Sequence, residues 1–508
     1  MKGNLAGEGV SVLLIYPDSL KTALGSPGFK QIFRTLSQAR DCVVDWGWYD
    51  DRNNHIVYES RNWKKEYDFI GFSVPYELNY ESVVRSLEKL NVEPERKMRK
   101  PYQPLVVLGG AAPTINPSVA GAIADVIFIG EAEQYIVETL QNSKIAKKTG
   151  AAPQLTPMLG IPIPKENGAA PRFIYPQESI DSSFFSHFDN PTYSTFRGAG
   201  LIEVGRGCSR RCRFCAAGHI YLPVRHRSVD SILRDVESYR GKAERIGLVG
   251  ASISDHYALK EVIREILDRG FGLTTSSFRA DMLDDDLALL LKKGGLKTVT
   301  IAPEGGSERI RKIMNKHLTE EEILHAVRSC TRAGIKNLRI YYMIGLPWEK
   351  ESDIDAILEL TGKIKSEFSL PGSTVTVSIN PFIPKPQTPF QWCGMAEPSY
   401  LERIYKKIKR DFLHMSGIVL KTLSIRIALK EAVISLGDEA VGKAIIEHVR
   451  DTIAWKKALA LNHVDVHTLV HTTKAPDESF PWDHVTGNKI KAALFTSFEK
   501  AQCAALEL

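Results

Sequence analysis

Cysteine is scarce in this chain: its 508 residues include only seven, an odd number thinly spread outside one short cluster. Such usage argues against a framework of disulfides. No run of about 18 or more apolar residues occurs, so we expect no transmembrane helix. The apolar run near the N-terminus ends at Pro17 and is too short for the core of a signal peptide. These absences predict a cytoplasmic protein.

The chain also lacks a strong charge of either sign. Its formal net charge of +6 is mild for its length, so it neither requires nor excludes a nucleic-acid partner. With 43% hydrophobic and 25% charged residues, the composition is that of a globular enzyme with an ample core. A chain of this length predicts roughly two to four domains.

Residues 1–145 alternate short apolar runs with amphipathic segments. Such runs are typical of parallel strands covered by helices, which predicts an α/β domain with an open, doubly wound, Rossmann-like sheet. These sheets bind ligands beyond the carboxyl ends of their strands, where Gly109 and Gly110 would let a large ligand approach the backbone. The predicted strands are 10–17, 42–48, 69–74, 105–110 and 126–130.

Three further regions follow. Residues 146–199 are rich in Pro, Gly and Ser and lack periodicity, which predicts a linker. Residues 200–385 contain six longer strand–helix units, which predict a partial (β/α)6 barrel with its active site at the carboxyl ends of the strands. Residues 386–508 have mostly helical patterns. The predicted barrel strands are 201–207, 245–251, 272–278, 296–303, 338–347 and 375–382.

The cysteine cluster begins where the first barrel strand ends. Cys208, Cys212 and Cys215 have the spacing CxxxCxxC, which gathers three thiolates on one loop. One interpretation is a zinc site completed by a distant Cys or His, with His219 and His226 nearby. The other is a [4Fe–4S] cluster with one iron left without a protein ligand, because thiolates are the usual ligands of such clusters. Spacing alone leaves both open.

The segment CSRRCRFC, at the end of the first strand of a six-unit barrel, resembles the motif of the radical S-adenosylmethionine (SAM) superfamily. The resemblance implies that Cys208, Cys212 and Cys215 are catalytic and hold a [4Fe–4S] cluster. The open iron would bind the amino and carboxylate groups of SAM. An electron from the cluster would then cleave SAM to a 5′-deoxyadenosyl radical.

The same resemblance implies SAM-binding roles for residues at the ends of the later strands. The segment LVGAS, at the second strand, lacks the acidic residue of the corresponding family segment. Arg279 would contact the SAM carboxylate, and Glu304 would reach the ribose or the amino group. The GLP turn at the fifth strand would pack against adenine. The implied SAM-binding residues are Phe214, Gly250, Ser252, Ser277, Arg279, Glu304 and Gly345.

A doubly wound domain ahead of such a barrel resembles the cobalamin-binding radical SAM enzymes. Segments such as GGAAPTINP and INPFIPKPQTPFQW extend this likeness over nearly the whole chain. The DxHxxG motif, which supplies a histidine to cobalt in many cobalamin proteins, is absent, which implies that the lower face of cobalt meets water, a vacancy or another side chain. Tyr76, at the end of the third strand, is the candidate for such a side chain. The implied cobalamin-binding residues are Tyr76, Gly109, Gly110, Thr114 and Glu131.

With both cofactors, the resemblance implies a methyltransferase that abstracts hydrogen from an sp³ carbon and transfers methyl from methylcobalamin. The likeness is to enzymes that C-methylate residues of methyl-coenzyme M reductase, such as its glutamine. It implies a protein or peptide substrate, an external electron donor, and neither a membrane nor a nucleic-acid partner.

Three alternatives differ in chemistry. A cobalamin-associated cyclase or oxidase would transfer no methyl group. Methylthiotransferases acting on tRNA carry three cysteines in their N-terminal domain, whereas this one contains only Cys42. A zinc-stabilised binding module would be no enzyme at all.

Arginine is concentrated around the cysteine loop. Arginines beside an anionic cluster would favour it and tune its potential, but a solvated basic surface or a nucleic-acid site would have the same composition. The other cysteines (Cys42, Cys330, Cys393 and Cys503) are predicted to be small buried apolar residues. The arginines are Arg206, Arg210, Arg211, Arg213, Arg225 and Arg227.

Overall fold

The computed structural model describes residues 9–50, 52–59, 66–149, 161, 162, 180, 196 and 198–507. Most of the predicted linker therefore lies outside the described residues. The predicted α/β fold class is confirmed, with an N-terminal sheet domain, a barrel of parallel strands and a helical C-terminal region. The part of the chain that the structure describes holds no helix long and apolar enough to cross a membrane.

The N-terminal domain is built on a seven-stranded sheet. Its strands are β1 (Val10–Tyr16), β2 (Cys42–Asp50), β3 (His55–Glu59), β4 (Phe69–Ser73), β5 (Leu105–Gly109), β6 (Val126–Ile127) and β7 (Ile161–Pro162). They lie in the order β3-β2-β1-β4-β5-β6-β7. The five predicted apolar runs form the parallel strands β1, β2, β4, β5 and β6, while β3 and β7 pair antiparallel at the two edges.

The strand order reverses between β1 and β4, so the crevice in which such sheets bind ligands lies at the carboxyl ends of these two strands. Six helices connect the strands. The last of them continues past residue 145, into the start of the predicted linker. The helices are α1 (Leu20–Leu24), α2 (Pro27–Gln38), α3 (Asn79–Lys89), α4 (Ala111–Ile115), α5 (Pro117–Ala120) and α6 (Ile136–Thr149).

The barrel consists of two four-stranded sheets. Its strands are β8 (Ala199–Arg206), β9 (Arg225–His226), β10 (Arg245–Gly250), β11 (Gly272–Thr275), β12 (Thr298–Glu304), β13 (Asn337–Ile344), β14 (Thr374–Pro381) and β15 (Ile418–Thr422). The sheet orders are β11-β10-β8-β9 and β12-β13-β14-β15, and a parallel bridge between Phe278 and Ile301 joins them. All six predicted barrel strands are present.

The C-terminal region is mostly helical, as predicted, but it also contributes a strand. β15 pairs in parallel with β14, and the sequence analysis predicts no strand there. Its segment IVLKT offers one short alternation in which two of the five side chains are exposed, a weak signal between two long helical periods. The helices from the barrel to the C-terminus are α7 (Val229–Ser238), α8 (Leu259–Asp268), α9 (Asp285–Lys293), α10 (Glu308–Ile313), α11 (Glu320–Arg332), α12 (Glu351–Glu367), α13 (Pro398–Phe412), α14 (Ile425–Leu436), α15 (Glu439–Arg450), α16 (Trp455–Leu461), α17 (Asp483–Thr486) and α18 (Asn488–Glu507).

Buried polar bonds tie the C-terminal half to the first sheet. The amide of Asn116, which follows α4, donates to the carbonyl oxygens of Ser435 at 3.0 Å and Gly437 at 2.7 Å. The amide of Gln387, in the loop after β14, donates to the carbonyl oxygen of Thr114 at 2.7 Å. These contacts bring the loops after β5 and β14 together. The seven-stranded sheet and the barrel therefore present the carboxyl ends of these strands to one region.

Candidate active site

The cysteine loop leaves β8 through a turn that requires glycine. Gly207 has a φ of +79°, and a Cβ atom there would lie 2.3 Å from the carbonyl oxygen of Tyr221. Further along the loop, the backbone N–H of Cys215 donates to the carbonyl oxygen of Cys212 at 3.1 Å. The guanidinium of Arg213 anchors the loop by donating to the carbonyl oxygen of Ile313 at 2.6 Å.

His219 supports this loop from within. Its Nε2 lies 3.3 Å from the carbonyl oxygen of Cys212; because a carbonyl only accepts, this nitrogen carries the proton. Burial lowers the pKa of His219 to about 4, so the ring is neutral. His226, the other predicted zinc ligand, stacks on His256 with ring centroids 5.2 Å apart. Each histidine thus has a protein partner: the carbonyl group of Cys212 for His219 and the ring of His256 for His226.

The three cysteines influence one another electrostatically. Burial is the main reason that the pKa of the Cys212 thiol rises to about 11; Cys215 and Cys208 add to the rise, while Lys316 and Arg279 oppose it. Burial also raises the pKa of Cys215. Among the described residues, no three Cys, His, Asp or Glu side chains converge as ligands of a single metal ion do. The three thiols lie on one loop and influence one another electrostatically, and such a set fits a cluster with several irons, which would deprotonate them.

A buried ion pair that the sequence analysis did not identify stands beside the loop. Nζ of Lys316 lies 3.4 Å from Oε1 of Glu304 and 5.9 Å from the centroid of the Phe214 ring. Glu304 adopts a φ of +68°, a strained conformation of the kind found at functional sites. Phe214 and Glu304, both predicted to bind SAM, thus share one environment. No spacing in a single sequence would have pointed to Lys316.

Arg311 fixes the two turns that carry this pair. Its guanidinium, only 1% exposed, donates to the carbonyl oxygens of Gly305 at 2.9 Å, Gly306 at 2.7 Å and Leu318 at 2.7 Å. Because one planar group holds both turns, the positions of the lysine and the glutamate depend on each other.

Acidic side chains engage the other predicted SAM-binding groups. Nε and Nη2 of Arg279 donate to the two carboxylate oxygens of Asp281 at 2.9 and 3.0 Å. The guanidinium of Arg279 is therefore already paired. The side chain of Ser252 bonds to Asp255, which also pairs with Arg210 at 2.5 Å. Asp255 therefore supplies a carboxylate close to the LVGAS segment, which itself contains none.

The remaining predicted SAM-binding residues lie at strand ends. Gly345 follows β13 with a φ of +70°, and its N–H donates to Oε1 of Glu349 at 2.9 Å. The hydroxyl of Tyr400 donates to the same oxygen at 2.7 Å, and burial raises the pKa of Glu349 to about 7. Ser277 is exposed just after β11, and Gly250 ends β10.

A cavity of about 370 Å³ connects the first sheet with the barrel. Its wall consists of apolar side chains of the N-terminal domain and of backbone at the ends of strands in the seven-stranded sheet and in the barrel. Three of the five predicted cobalamin-binding residues, Gly109, Gly110 and Glu131, line it, and so does Gly250. Gly110 has a φ of +108°, and a Cβ atom there would lie 2.7 Å from the carbonyl oxygen of Val74. The glycines thus allow close packing at this edge.

The other two predicted cobalamin-binding residues are engaged elsewhere. The phenol of Tyr76 donates to Glu431 on α14, and Tyr76 does not belong to the cavity wall. Thr114 is buried; its hydroxyl donates to the carbonyl oxygen of Gly110 at 2.7 Å and accepts the N–H of Gly130 at 3.0 Å. In the structure Tyr76 thus bonds across to α14 and Thr114 supports the glycine turn, and their roles in cobalamin binding stay predictions.

An ionic clamp closes one side of the cavity. Arg206 on β8 pairs with Glu131 at 2.8 Å, Glu133 at 2.8 Å and Glu203 at 3.0 Å, and Arg225 also pairs with Glu131. Burial raises the pKa of Glu203. Burial also raises the pKa of Glu131, but the hydrogen bonds and charges of Arg225 and Arg206 outweigh this effect and hold the pKa below its ordinary value.

Of the three interpretations of the arginines around the cysteine loop, a solvated basic surface is wrong for five of the six. Arg206 and Arg225 form the ionic clamp. Arg213 donates to a backbone carbonyl group, and Arg210 pairs with Asp255. Arg227 is fully buried and pairs with Asp235 at 2.7 Å, whereas Arg211 is exposed. Sequence composition could not show these partners, because most are distant in the chain.

The scattered cysteines match their prediction only in part. Cys330 and Cys393 are buried, and burial raises the pKa of Cys330 to about 12. Cys42 is half-buried, and Cys503 is exposed on α18. The prediction of a buried residue is wrong for Cys503.

Comparison with known protein families identifies the barrel. The model of the family described as "Radical SAM superfamily" matches residues 202–361. The model of the family described as "Radical SAM proteins, N-terminal" matches residues 29–156. This chain belongs to the radical SAM superfamily. Radical SAM enzymes use a [4Fe–4S] cluster and SAM, so the predicted enzyme and these two cofactors are confirmed at that level.

Individual relatives of this radical SAM enzyme extend the likeness. The uncharacterized protein MJ0966 of Methanocaldococcus jannaschii is 28% identical over 437 residues, which cover 85% of this chain and 90% of that protein. The uncharacterized methyltransferase PH0819 of Pyrococcus horikoshii is 23% identical over 299 residues, which cover 52% of this chain and 59% of that protein. The chain thus spans less than two thirds of the latter.

A solved structure shows the same fold over the whole radical SAM enzyme. The cobalamin-dependent S-adenosylmethionine radical enzyme OxsB, with aqua-cobalamin and S-adenosylmethionine bound, aligns with a TM-score of 0.53 at 15% identity. The alignment covers 98% of this chain and 72% of that one. The predicted combination of a doubly wound domain and a radical SAM barrel is therefore confirmed as a fold.

Proposed function

We propose that this radical SAM enzyme is a cobalamin-dependent methyltransferase acting on an sp³ carbon. One observation carries the proposal: the cysteine loop leaves β8 beside a cavity whose wall is shared by the barrel and the first sheet. Cofactors held by the loop and by the sheet would therefore face one common space. Such proximity is what a transfer between two cofactors requires.

In this proposal Cys208, Cys212 and Cys215 hold the cluster. Phe214, Gly250, Ser252, Ser277, Arg279, Glu304 and Gly345 surround SAM, with Lys316 and Asp255 added from the structure. Bound there, the cluster and SAM supply a 5′-deoxyadenosyl radical that removes a hydrogen atom, and methylcobalamin supplies the methyl group that replaces it. The chain orients the cofactors and excludes water.

The cavity supports cobalamin as the second cofactor. Gly109 and Gly110 allow close approach of a large ligand to the sheet edge, and Glu131 is held in place by two arginines. The likeness in fold to OxsB, whose structure contains aqua-cobalamin, gives the same assignment. We assign the contact to Gly109, Gly110 and Glu131 on the cavity wall, with Tyr76 and Thr114 as further predicted contacts.

For the substrate, we propose a protein or peptide, with a glutamine of methyl-coenzyme M reductase as the first candidate. The reaction also needs an external electron donor, because a cluster that has passed its electron to SAM must be reduced again. We place the enzyme in the cytoplasm, where free thiols and an iron–sulfur cluster persist.

Turnover with SAM labelled by deuterium in its methyl group tests the proposal. The reconstituted full-length enzyme, cobalamin, a reductant and a peptide containing the candidate glutamine are incubated without oxygen. We expect 5′-deoxyadenosine, S-adenosylhomocysteine and a peptide that carries the labelled methyl group. Omitting cobalamin is the control and should abolish methylation.

The same products separate the alternatives. 5′-Deoxyadenosine without S-adenosylhomocysteine would contradict methyl transfer and favour a cyclase or an oxidase. If neither product formed, the assignment of the cluster and SAM sites would be wrong. A methylthio group on the product would indicate a methylthiotransferase.

A further inference from the structure

The inner face of the second half-barrel is polar. Tyr342 on β13 is fully buried, and its hydroxyl lies 3.4 Å from Oγ1 of Thr361 on α12, so it points outward to the helices. Side chains alternate along a strand, and Arg339, Tyr341 and Met343 therefore point inward. All three are partly accessible, whereas the outward side chains are buried.

The register extends this inner face across two more strands. Arg339 pairs with Thr376 and Tyr341 with Ser378 on β14. Ser378 in turn pairs with Lys421 on β15. Paired residues in a parallel sheet point to the same face. One wall of the barrel lumen therefore carries a guanidinium, an ammonium, a phenol and two hydroxyl groups.

These two cations lack a compensating charge. The strands β13, β14 and β15 contain no Asp or Glu, and Glu304 at the end of β12 is paired with Lys316. Within residues 198–507, the structure shows no ion pair for Arg339 or Lys421. Arg339 is half-buried and Lys421 is exposed, and a wall that presents two positive charges and several hydroxyl donors favours a negatively charged group.

We infer that this wall binds a carboxylate or phosphate group of the substrate. Arg339 and Lys421 lie two strands and two residues apart, about 12 Å between Cα atoms from the spacings of a parallel sheet. Both side chains are long enough to reach one anionic group between them. Arg339 offers a planar fork that matches the two oxygens of a carboxylate, and Tyr341, Thr376 and Ser378 add hydroxyl donors.

This inference rests on the proposed function, because the wall lies in the barrel whose mouth carries the cysteine loop. It specifies the substrate class of that reaction: a molecule with an acidic group in the lumen and its reactive carbon towards the mouth. A small organic acid and an acidic side chain of a peptide share this chemistry.

Calorimetric titration of the reconstituted full-length enzyme tests the inference. The probes are inorganic phosphate, glutarate, neutral glutaramide and a pentapeptide containing Glu. We expect at least one anionic probe to bind and glutaramide not to bind. The double variant Arg339→Gln/Lys421→Gln should weaken binding about tenfold or more. The double variant Lys456→Gln/Lys457→Gln, which loses the same charge on the exposed surface of α16, should bind like wild type.

Tighter binding of the peptide than of glutarate would assign the acidic group to a peptide substrate, and equal binding would assign it to a small acid. If no anionic probe binds, or if both double variants weaken binding equally, the inference is wrong. It is also wrong if the lumen variant loses affinity for SAM by the same factor, because the wall would then hold the SAM carboxylate. Circular dichroism and iron content confirm that the variant is folded and loaded.

Failure of this inference differs from failure of the proposed function. The proposed function fails if wild type forms no S-adenosylhomocysteine, a result that does not involve the binding of anionic probes. The inference fails in the titration even if methyl transfer is observed.

Discussion

Lys316 and Glu304 form a buried ion pair, 3.4 Å between Nζ and Oε1, next to the cysteine loop. The positive charge of Lys316 opposes the effect of burial on the pKa values of both Cys212 and Cys215. A cation so close to the predicted cluster ligands favours the more negatively charged, reduced state of the cluster. We therefore expect Lys316 to influence how easily the cluster accepts an electron.

Replacing this lysine should lower the reduction potential of the cluster. Without the ammonium group of Lys316, the added electron is less stabilised, so Lys316→Met should shift the midpoint by about 50 mV to more negative values. A redox titration followed by electron paramagnetic resonance measures the shift. Lys312→Met, on the exposed surface of α10, is the matched control. Equal potentials in wild type and Lys316→Met would contradict this role.

A single cysteine substitution should remove the cluster. Cys212→Ala removes one of three ligands, so we expect little bound iron after reconstitution and no cleavage of SAM. Cys503→Ala removes an exposed cysteine of α18 and should keep both. Analysis of iron and sulfide measures the bound cluster in both variants, and an assay for 5′-deoxyadenosine measures their cleavage of SAM. SAM cleavage by Cys212→Ala at the wild-type rate would disprove the motif assignment.

Arg311 should be important for stability. Arg311→Met leaves three buried carbonyl groups without their donor, which should lower the free energy of unfolding by roughly 2–4 kcal/mol. Urea unfolding of the variant measures this loss. Arg332→Met, which removes an exposed ion pair with Asp285, should change stability little. A loss no greater than that of the control would show that the carbonyl bonds contribute little.

Glu349 should make stability depend on pH. Burial raises its pKa to about 7, from an ordinary value of 4.5. The folded protein thus retains a proton that the unfolded chain has released. Stability from this group is fully present below about pH 4.5, falls as the pH rises to about 7 and is constant above.

The variant Glu349→Gln isolates this effect, because it cannot titrate. Between about pH 5 and about pH 8, the free energy of unfolding should fall less for the variant than for wild type. The difference between the two should be roughly 1.4 kcal/mol for each unit by which folding raises the pKa of Glu349. Tyr400→Phe removes a hydrogen bond that lowers the pKa of Glu349, so the loss of stability should continue to a higher pH than in wild type. Parallel curves for all three proteins would contradict the assignment.

Local patterns predicted the architecture because each parallel strand is a compact apolar run. All five runs in the first domain and all six in the barrel form strands. β3 and β15 were missed because each lies at a sheet edge, and β15 buries none of its side chains, so its hydrophobic patterning is weak.

The partners of polar side chains could not be predicted in this way. Arg225 pairs with Glu131 and Tyr76 with Glu431, and these residues are far apart in the sequence. Composition indicated a basic loop, whereas the fold neutralises most of its arginines. The cysteine loop was predictable because its three cysteines are close in sequence and follow directly from a strand.

An anaerobic ultraviolet–visible spectrum shows whether an iron–sulfur cluster and cobalamin occupy one site. The protein is reconstituted with iron and sulfide, mixed with cobalamin and freed of unbound cofactor. We expect iron–sulfur absorbance together with retained corrinoid bands. Iron–sulfur absorbance without corrinoid bands would contradict the two-cofactor site, and a colourless protein would contradict the cluster itself.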